Sequence, residues 1–183
     1  MCAKTAKPCR SRSPSSVPDP AYLSFGSNLG DRPANLRAAL CALGVNEHVR
    51  VTRTSKVYET DPVEVGEEHP TYLNCVVEVM CSMPPLELLR YCQGIEAALG
   101  RDRKGRMAPR TIDIDILLYG EKTVAGPDLV VPHRGIIRDF NLKCLTDLGD
   151  GIPVPGRGTV GNIFAEAESS GVREYATDPF DLR

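Results

Sequence analysis

The chain has 183 residues, of which 42% are hydrophobic and 25% charged, and its formal net charge is −2. This size and composition are typical of one soluble globular domain with tails. A nearly neutral chain gives no electrostatic argument for a nucleic acid or an acidic membrane as partner, so any anion site must be a local cluster. The absence of an apolar run of about 18 residues argues against a membrane-spanning helix.

The seven cysteines are scattered along the chain, and no pair shows the C-x2-C spacing of a zinc or redox site. Several of them occupy apolar positions of periodic segments, which favours buried free thiols. Such thiols are typical of a reducing compartment, and we therefore expect a cytoplasmic protein.

The N-terminal segment, residues 1–19, is rich in serine, proline and basic residues and carries no apolar stripe. A transit peptide is one interpretation, but the segment lacks the amphipathic periodicity of such peptides. We therefore predict a disordered N-terminal extension over residues 1–19, a domain over residues 20–168 and a C-terminal tail over residues 169–183.

The predicted elements of the domain alternate between strands and helices. Strands are predicted over residues 21–25, 48–60, 72–81 and 110–119, and helices over residues 31–44, 84–100, 136–148 and 160–168. Asp31 is a good N-cap for the first helix, and Gly44 and Gly100 end the first two helices. The order β-α-β-β-α-β predicts an α+β, ferredoxin-like sandwich: a four-stranded antiparallel sheet with two helices on one side and additional C-terminal helices.

Period-two alternation divides the side chains of the third and fourth predicted strands between the two faces of the sheet. The set expected to face the helices is Leu73, Cys75, Val77, Val79, Cys81, Ile112, Ile114, Ile116 and Leu118. The opposite set is Tyr72, Asn74, Val76, Glu78, Met80, Thr111, Asp113, Asp115 and Leu117. We expect this second face to be open and to carry the functional site.

The strongest chemical signal on the expected open face is the pair Asp113 and Asp115. Carboxylates at positions i and i+2 of a strand lie on the same face, about 6.6 Å apart at Cα. They repel each other unless cations lie nearby, and two Mg²⁺ ions with oxygen ligands would satisfy both. The alternative interpretation is a solvated face that carries two surface acids.

A basic segment immediately precedes the two aspartates. Its cations are Arg101, Arg103, Lys104, Arg106 and Arg110, and the only acid among them is Asp102. A polyphosphate needs arginine forks for its oxygens and carboxylates for its Mg²⁺, so the two signals together favour a nucleotide. The segment contains Gly105 and has few apolar anchors, which suggests a mobile loop. A solvated run of charges is the alternative.

Two aromatic residues could flank a planar ligand. Tyr72 lies on the expected open face, and Phe140 lies in a predicted helix; either residue could instead simply pack in the core. Asn74, on the same face as Tyr72, could hydrogen-bond a heterocycle through both its donor and its acceptor. The sequence contains no Walker A motif, no Rossmann glycine motif and no nucleophile elbow, which disfavours those classes of site.

Several motifs then occur in a characteristic order. They are FGSNLG (25–30), YET (58–60), PTYLNC (70–75), GRDR (100–103), PRTIDIDIL (109–117), VPH (131–133) and RDF (138–140). Over about residues 20–145 the chain thus resembles the 6-hydroxymethyl-7,8-dihydropterin pyrophosphokinases of folate biosynthesis. The resemblance implies a ferredoxin-like fold and transfer of the pyrophosphoryl group of ATP to the pterin hydroxymethyl group, with release of AMP.

The resemblance also implies roles for individual residues. Two Mg²⁺ ions are implied at Asp113 and Asp115, and pterin contacts at Thr60, Val63, Tyr72, Asn74 and Phe140. Contacts to ATP, the co-substrate, are implied at Gln93, Glu96, Arg103, Arg106, Ile116, His133 and Arg138. Catalytic roles are implied for Arg101, Arg103 and Arg110.

The partners expected are small molecules alone, ATP and the hydroxymethyl dihydropterin, with no nucleic acid and no membrane, and we expect a monomer. Two other interpretations of the residues remain open. The same element order serves RNA-binding and regulatory modules, although the expected open face lacks the paired aromatics of an RNA-binding sheet. A two-metal phosphohydrolase would also use paired aspartates, but it would need no pterin.

Overall fold

The computed structural model describes residues 17–61, 70–100, 110–167, 171–177 and 179–180. Its regular elements are β1 (Asp19–Ser27), α1 (Arg32–Leu43), β2 (Val49–Thr54), β3 (Tyr58–Thr60), β4 (Tyr72–Cys81), α2 (Pro85–Ala98), β5 (Asp113–Tyr119), β6 (Val124–Ala125), β7 (Val130–Val131), α3 (Asp139–Leu148), β8 (Pro153–Val154), β9 (Gly158–Thr159), α4 (Val160–Glu166) and β10 (Val172–Glu174). A short 3-10 helix, Arg134–Ile137, precedes α3.

The centre of the fold is an antiparallel sheet in the order β10-β3-β4-β1-β5, with β2 also paired to β4. The prediction of an α+β protein with an antiparallel sheet is confirmed. The strand β5 lies at one edge of the sheet. That edge position matters for the site, because alternate backbone groups of an edge strand have no neighbouring strand to pair with.

Helices α1 and α2 pack on one face of the sheet, as the alternation predicted. Their contribution to the core is Leu36, Ala39, Leu43, Leu88, Cys92 and Ile95, which pack against the helix-facing residues of β1, β4 and β5. Asp31 caps α1 by accepting a hydrogen bond from the Ala34 amide at 3.0 Å. Gly100 follows α2 with a φ of +83°, a conformation that favours glycine at a helix end.

The segment predicted as one strand over residues 48–60 is two strands. Ser55 and the two residues after it leave the ladder between β2 and β3. The Ser55 side chain accepts a hydrogen bond from the Val76 amide at 2.9 Å and donates one to the Lys56 carbonyl at 2.7 Å. The Ser55 amide still donates to the Val76 carbonyl at 2.9 Å, so the serine side chain replaces only the backbone acceptor of the Val76 amide, which the alternating pattern alone did not reveal.

A β-bulge in β5 overturns part of the predicted face assignment. Tyr22 pairs with Leu118, whereas the next residue, Leu23, pairs with Ile116, so Leu117 is an extra residue in β5. The bulge reverses the alternation. Leu118 was predicted on the helix-facing side, but it lies with Leu117 in the second core on the opposite face.

The face predicted to be open is covered over much of its length. Helices α3 and α4 pack on it and build a second core that includes Val76, Cys144, Leu145, Leu148 and Val160. The helix predicted over residues 136–148 is also broken. Arg138 is extended, with a ψ of 138°, and separates the 3-10 helix from α3. The predicted last helix is present as α4 but ends at Glu166.

The segment predicted as a C-terminal tail contributes to the fold. Strand β10 pairs with β3, and Phe180 is buried in the main core. The tail prediction is therefore wrong for residues 172–174 and 180. At the other end β1 begins at Asp19, one residue before the predicted domain boundary. In the parts of the chain that the structure describes, no helix combines the length and apolar character needed to cross a bilayer.

Candidate active site

Backbone pairing across β4, β1 and β5 aligns the predicted pterin and metal residues. Asn74 pairs with Gly26, and Gly26 pairs with Asp113. These three residues form one row across the sheet, here termed the first row. Neighbouring strands lie about 4.7–4.9 Å apart, so about 10 Å separates Asn74 from Asp113 at Cα. Two signals far apart in the sequence, the asparagine and the acidic pair, are thus brought to one place.

Gly26 opens the middle of the first row, a feature that the sequence analysis missed. A Cβ atom at this position would lie 3.2 Å from Asn74 Oδ1, tighter than nearly all real Cβ contacts. The row therefore has a gap where a side chain would stand between Asn74 and Asp113. A glycine inside a strand often marks the close approach of a ligand, and this signal was available in FGSNLG.

The second row consists of Val76, Ser24 and Asp115, which pair across the same three strands. Asp113 and Asp115 therefore stand in successive rows on one face, as predicted. Ser24 is buried and donates a hydrogen bond of 2.7 Å to Asn141 on α3. The start of α3 is thereby held over the second row, and the site is confined to the end of the sheet that α3 leaves uncovered.

Asn74 is held rigidly at the β4 end of the first row. Its side chain is 4% exposed, and its Nδ2 donates a hydrogen bond of 2.8 Å to Thr60 Oγ1. With that donor engaged, Oδ1 is directed toward the Gly26 position. Tyr72, which pairs with Thr60 across the two strands, is only partly buried.

Glu59 of β3 and Thr71, which precedes β4, are both tied to the beginning of α1. Arg32 donates hydrogen bonds to Glu59 Oε1 at 2.9 Å, to the Thr71 carbonyl at 2.9 Å and to Thr71 Oγ1 at 2.6 Å. Hydrogen bonds from Thr71 and Arg32 lower the pKa of Glu59 below its ordinary value, so this carboxylate stays charged. The cluster fixes the strand ends that carry Thr60 and Tyr72.

At the β5 end of the row, Arg110 forms an ion pair with Asp113 at 2.7 Å, and both side chains are partly buried. The Arg110 backbone is clamped by Asn28: its amide donates to Asn28 Oδ1 at 2.8 Å, and its carbonyl accepts from the Asn28 amide at 3.2 Å. Asn28 Nδ2 and Thr111 Oγ1 are buried beside this clamp and find no hydrogen-bond partner among the residues that the structure describes. Buried polar atoms of this kind mark places where a ligand, ion or water supplies the partner.

The two aspartates fit the coordination habits of Mg²⁺. Among the described residues no group of three or more histidine, cysteine, aspartate or glutamate side chains could hold a metal ion. A magnesium ion does not need such a cage, because it keeps several waters and is usually held by one or two carboxylates together with substrate phosphates. The orphaned polar atoms beside Arg110 are consistent with a ligand at this position.

The edge strand β5 presents backbone groups beside the aspartates. The Ile114 amide donates a hydrogen bond of 2.8 Å to Glu96 Oε1, so it points away from β1. Ile116, two residues further, directs its backbone groups to the same edge, while its side chain is buried. Glu96 is only 3% exposed, so a buried carboxylate accepts this hydrogen bond at the edge of β5. Gln93, one turn earlier on α2, is partly exposed.

A short segment after β7 brings three further predicted residues to this end of the sheet. His133 precedes the 3-10 helix, Arg138 is the exposed extended residue that follows it, and Phe140 lies in the first turn of α3. The His133 Nδ1 accepts a hydrogen bond of 3.2 Å from the Gly135 amide. Four predicted site residues, Val63, Arg101, Arg103 and Arg106, lie outside the described residues.

The described residues of the site combine paired carboxylates, a partly buried arginine beside them and an amide across the glycine gap. This combination on an antiparallel α+β sheet defines a class of protein, a nucleotide-dependent transferase. The family model of the 7,8-dihydro-6-hydroxymethylpterin-pyrophosphokinases (HPPK) matches residues 22–150, and the chain belongs to this family. It is a transferase of folate synthesis that moves the pyrophosphoryl group of ATP to hydroxymethyldihydropterin.

Individual relatives agree with this assignment. The chain is 46% identical over 156 residues to the 2-amino-4-hydroxy-6-hydroxymethyldihydropteridine pyrophosphokinase of Bacillus subtilis, covering 85% of this chain and 89% of the relative. It is 38% identical over 153 residues to the protein of the same name from Methylorubrum extorquens, covering 83% and 96%. Membership of the family decides against the RNA-binding module and the phosphohydrolase considered above.

The fold also resembles solved structures. A Plasmodium falciparum HPPK-DHPS superimposes with a TM-score of 0.67 at 16% identity, covering 84% of this chain. The matched region is 44% of that longer chain, so the likeness concerns one part of it. At this identity the comparison shows the fold alone.

Proposed function

We propose that the pterin lies along the first row, with its ring over Gly26 beside Asn74 and its hydroxymethyl group toward Asp113. The observation that carries this proposal is the gap at Gly26 between an amide and a carboxylate. One N–H of Asn74 Nδ2 is donated to Thr60 Oγ1, which orients the amide so that Oδ1, directed toward the Gly26 position, would accept a hydrogen bond from a heterocycle N–H.

The two faces of the pterin ring would be covered by Tyr72 and Phe140. Tyr72 is partly exposed at the beginning of β4, and Phe140 is partly exposed in the first turn of α3, next to Asn141, which contacts Ser24 of the second row. Stacking of aromatic rings is worth about 0.5–1.5 kcal/mol beyond area burial, which suits a flat substrate. Val63 and the backbone near Thr60 complete the proposed pterin wall.

Asp113 and Asp115 would hold two Mg²⁺ ions, which supply charge neutralisation for the polyphosphate and polarise the reacting oxygens. The support is their position in successive rows on one face at the open end of the sheet. Arg110 neutralises Asp113 in the structure described here. Its guanidinium would be released toward a phosphate oxygen when the carboxylate binds a cation, which couples metal binding to phosphate binding.

ATP would lie along the edge of β5. The outward backbone groups of Ile116 can pair with a planar base as a further strand would, and Gln93 and Glu96 border this edge. His133 and Arg138 approach from the segment before α3, and Arg101, Arg103 and Arg106 belong to the adjacent basic segment. The proposed order thus runs from the pterin over β4 and β1, through the metal ions at the aspartates of β5, to the nucleotide at the outer edge of β5.

Pyrophosphoryl transfer requires positioning and charge neutralisation more than a covalent nucleophile. In this arrangement Asn74 and the two aromatic rings orient the hydroxymethyl oxygen toward the ATP phosphates. Arg101, Arg103 and Arg110 would stabilise the charge that develops on the transferred group. No side chain of the chain needs to form a covalent intermediate.

We further propose the ferredoxin-like topology, because β5, β1, β4 and the combined β2 and β3 follow the spatial order of a split βαβ sheet. Of the predicted N-terminal extension, residues 1–16 lie outside the described residues. The proposed domain, corrected for β10, extends to the C-terminal strand. We also propose that the protein is a monomer, that it acts in the cytoplasm and that its partners are small molecules alone.

The test is incubation of the purified chain with ATP, Mg²⁺ and 6-hydroxymethyl-7,8-dihydropterin, followed by separation of the nucleotides. We expect one AMP for each pterin pyrophosphate formed, no ADP, and no turnover when the pterin is omitted. Formation of ADP, or turnover that is indifferent to the pterin, contradicts the proposal.

A further inference from the structure

A chain of hydrogen bonds runs from the second row to His133. Ser24 Oγ donates to Asn141 Oδ1 at 2.7 Å, and Asn141 Nδ2 donates to the Gly135 carbonyl at 2.9 Å. The Gly135 amide in turn donates to His133 Nδ1 at 3.2 Å. The 3-10 helix and α3, which are neighbours in the sequence, are thus both joined to the distant strand β1 through one asparagine side chain.

This connection is buried among apolar groups. Asn141 is 4% exposed and Ser24 is 8% exposed, and Asn141 stands on the same buried side of α3 as Leu142, Cys144 and Leu145. An apolar pair could fill this space without any hydrogen-bond requirement, so packing alone does not explain a polar pair here. A fully satisfied buried polar network specifies one arrangement, because any other arrangement leaves a donor or acceptor unpaired.

The hydrogen bond from the Gly135 amide determines which ring nitrogen of neutral His133 carries the proton. Because Nδ1 accepts the Gly135 N–H, the proton of the neutral ring is on Nε2, which is then a donor. Gly135 itself is restricted at this position, since a Cβ atom there would lie 3.0 Å from His133 Nδ1. The 3-10 helix therefore fixes both the position of the imidazole and its tautomer.

We propose that Asn141 is a positioning residue for the nucleotide half of the site. By fastening the 3-10 helix to β1 next to Asp115, it holds His133 as an Nε2–H donor at a fixed distance from the metal-binding pair. This inference rests on the proposed contact between His133 and the nucleotide. It assigns no catalytic role to Asn141, which acts only through Gly135 and His133.

The test compares Asn141→Leu, which keeps the branched shape and the number of heavy atoms but removes both hydrogen bonds, with Ser24→Ala, which removes only the first. Histidine labelled with ¹⁵N reports the tautomer of His133 in the ligand-free protein, and the His133 signal is assigned by its loss in His133→Gln. We expect Nε2–H in the unsubstituted chain, a mixture of tautomers in Asn141→Leu and a smaller change in Ser24→Ala. The affinity for a non-hydrolysable ATP analogue should fall about tenfold in Asn141→Leu, with pterin affinity nearly unchanged.

A matched control is Asp147→Ala, at the other end of α3. Asp147 accepts hydrogen bonds from the Tyr58 hydroxyl and the Lys56 amide, so its loss also loosens α3 on the sheet. We expect it to lower the melting temperature without changing the His133 tautomer or nucleotide affinity. If Asn141→Leu behaves like this control, Asn141 is only structural and the inference is overturned.

The His133→Gln variant distinguishes failure of the proposed nucleotide contact from failure of the positioning role of Asn141. If His133→Gln leaves nucleotide affinity unchanged, the proposed nucleotide contact of His133 is wrong, and the positioning role of Asn141 is overturned with it. If His133→Gln weakens nucleotide binding but Asn141→Leu leaves the tautomer and affinity intact, the contact stands and only the inference about Asn141 is lost.

Discussion

The guanidinium of Arg110 lies 2.7 Å from the carboxylate of Asp113, three residues further along the chain. A proposed phosphate ligand and a proposed metal ligand are therefore partners of each other in the structure. The Asn28 clamp on the Arg110 backbone holds this pair at the end of the first row. The same contact predicts how metal affinity, phosphate binding and stability respond to substitution.

Replacing Asp113 or Asp115 by asparagine should reduce turnover by at least about 100-fold, because metal ions stabilise several kcal/mol of developing charge. The fold should persist, since both side chains lie outside the cores and change little in size. Turnover at saturating Mg²⁺ and the melting temperature are the measurements. The exposed Asp128→Asn is the control. Near-normal turnover in either variant would exclude that residue as a required metal ligand.

Arg110→Met should strengthen metal binding to the nucleotide-free protein by about three- to tenfold, because it removes the cation that now pairs with Asp113. Turnover should nevertheless fall, since the phosphates lose a guanidinium. Calorimetric titration with Mn²⁺ in the absence of ATP measures the first effect. Lys122→Met, which removes the Lys122–Asp19 ion pair of the same length, 2.7 Å, is the control. Unchanged Mn²⁺ affinity in Arg110→Met would show that the ion pair does not compete with the metal.

Gly26→Ala should weaken pterin binding by about tenfold or more, because its Cβ crowds Asn74 Oδ1 and fills the gap in the first row. Affinity for an ATP analogue should change much less. Equilibrium binding of each ligand, measured separately, distinguishes the two effects. Gly151→Ala, where a Cβ meets no atom within 4 Å, is the matched control. Equal loss of both affinities would mean that the substitution disturbs the sheet rather than the pterin site.

Tyr72→Ala should lower pterin affinity by roughly tenfold through loss of ring stacking, with little effect on the ATP analogue. Tyr72→Phe keeps the ring and should bind pterin almost as well as the unsubstituted chain. Fluorescence titration with the pterin and calorimetry with the nucleotide analogue measure the two affinities. A comparable loss for both ligands in Tyr72→Ala would indicate a structural role at the beginning of β4.

Glu78→Gln should make the free energy of unfolding less dependent on pH in the acidic range. The hydrogen bond from Arg53 is the main cause that lowers the pKa of Glu78 from its model-compound value of 4.5. A carboxyl whose pKa is lowered by folding stabilises the native state above the unfolded pKa, and that contribution is lost as the pH falls through the folded pKa. Urea unfolding between about pH 5 and pH 3 should therefore show a smaller slope in the variant. An exposed glutamate, Glu121→Gln, serves as control, and identical slopes in Glu78→Gln and the unsubstituted chain would contradict the prediction.

Much of the fold could be predicted from local sequence. The Asp31 cap, the glycine ends of α1 and α2 and the alternation of β4 are set within a few residues, because capping and period-two burial depend on near neighbours. The acidic pair was found in the same way. Its two side chains share a face in any extended strand, whatever the rest of the chain does. The ordered motifs then indicated the family, which the comparisons confirm.

Other features were decided by the tertiary structure alone. The bulge at Leu117 reverses the alternation only because β5 must follow the register of β1, and β10 joins the sheet only because β3 offers it an edge. The gap at Gly26 exists because Asn74 and Asp113 flank it from two other strands. Ser24 and Asn141 meet across 117 positions of the chain. Local propensity carries no information on such contacts, since cross-strand register and buried hydrogen bonds form only when distant segments pack together.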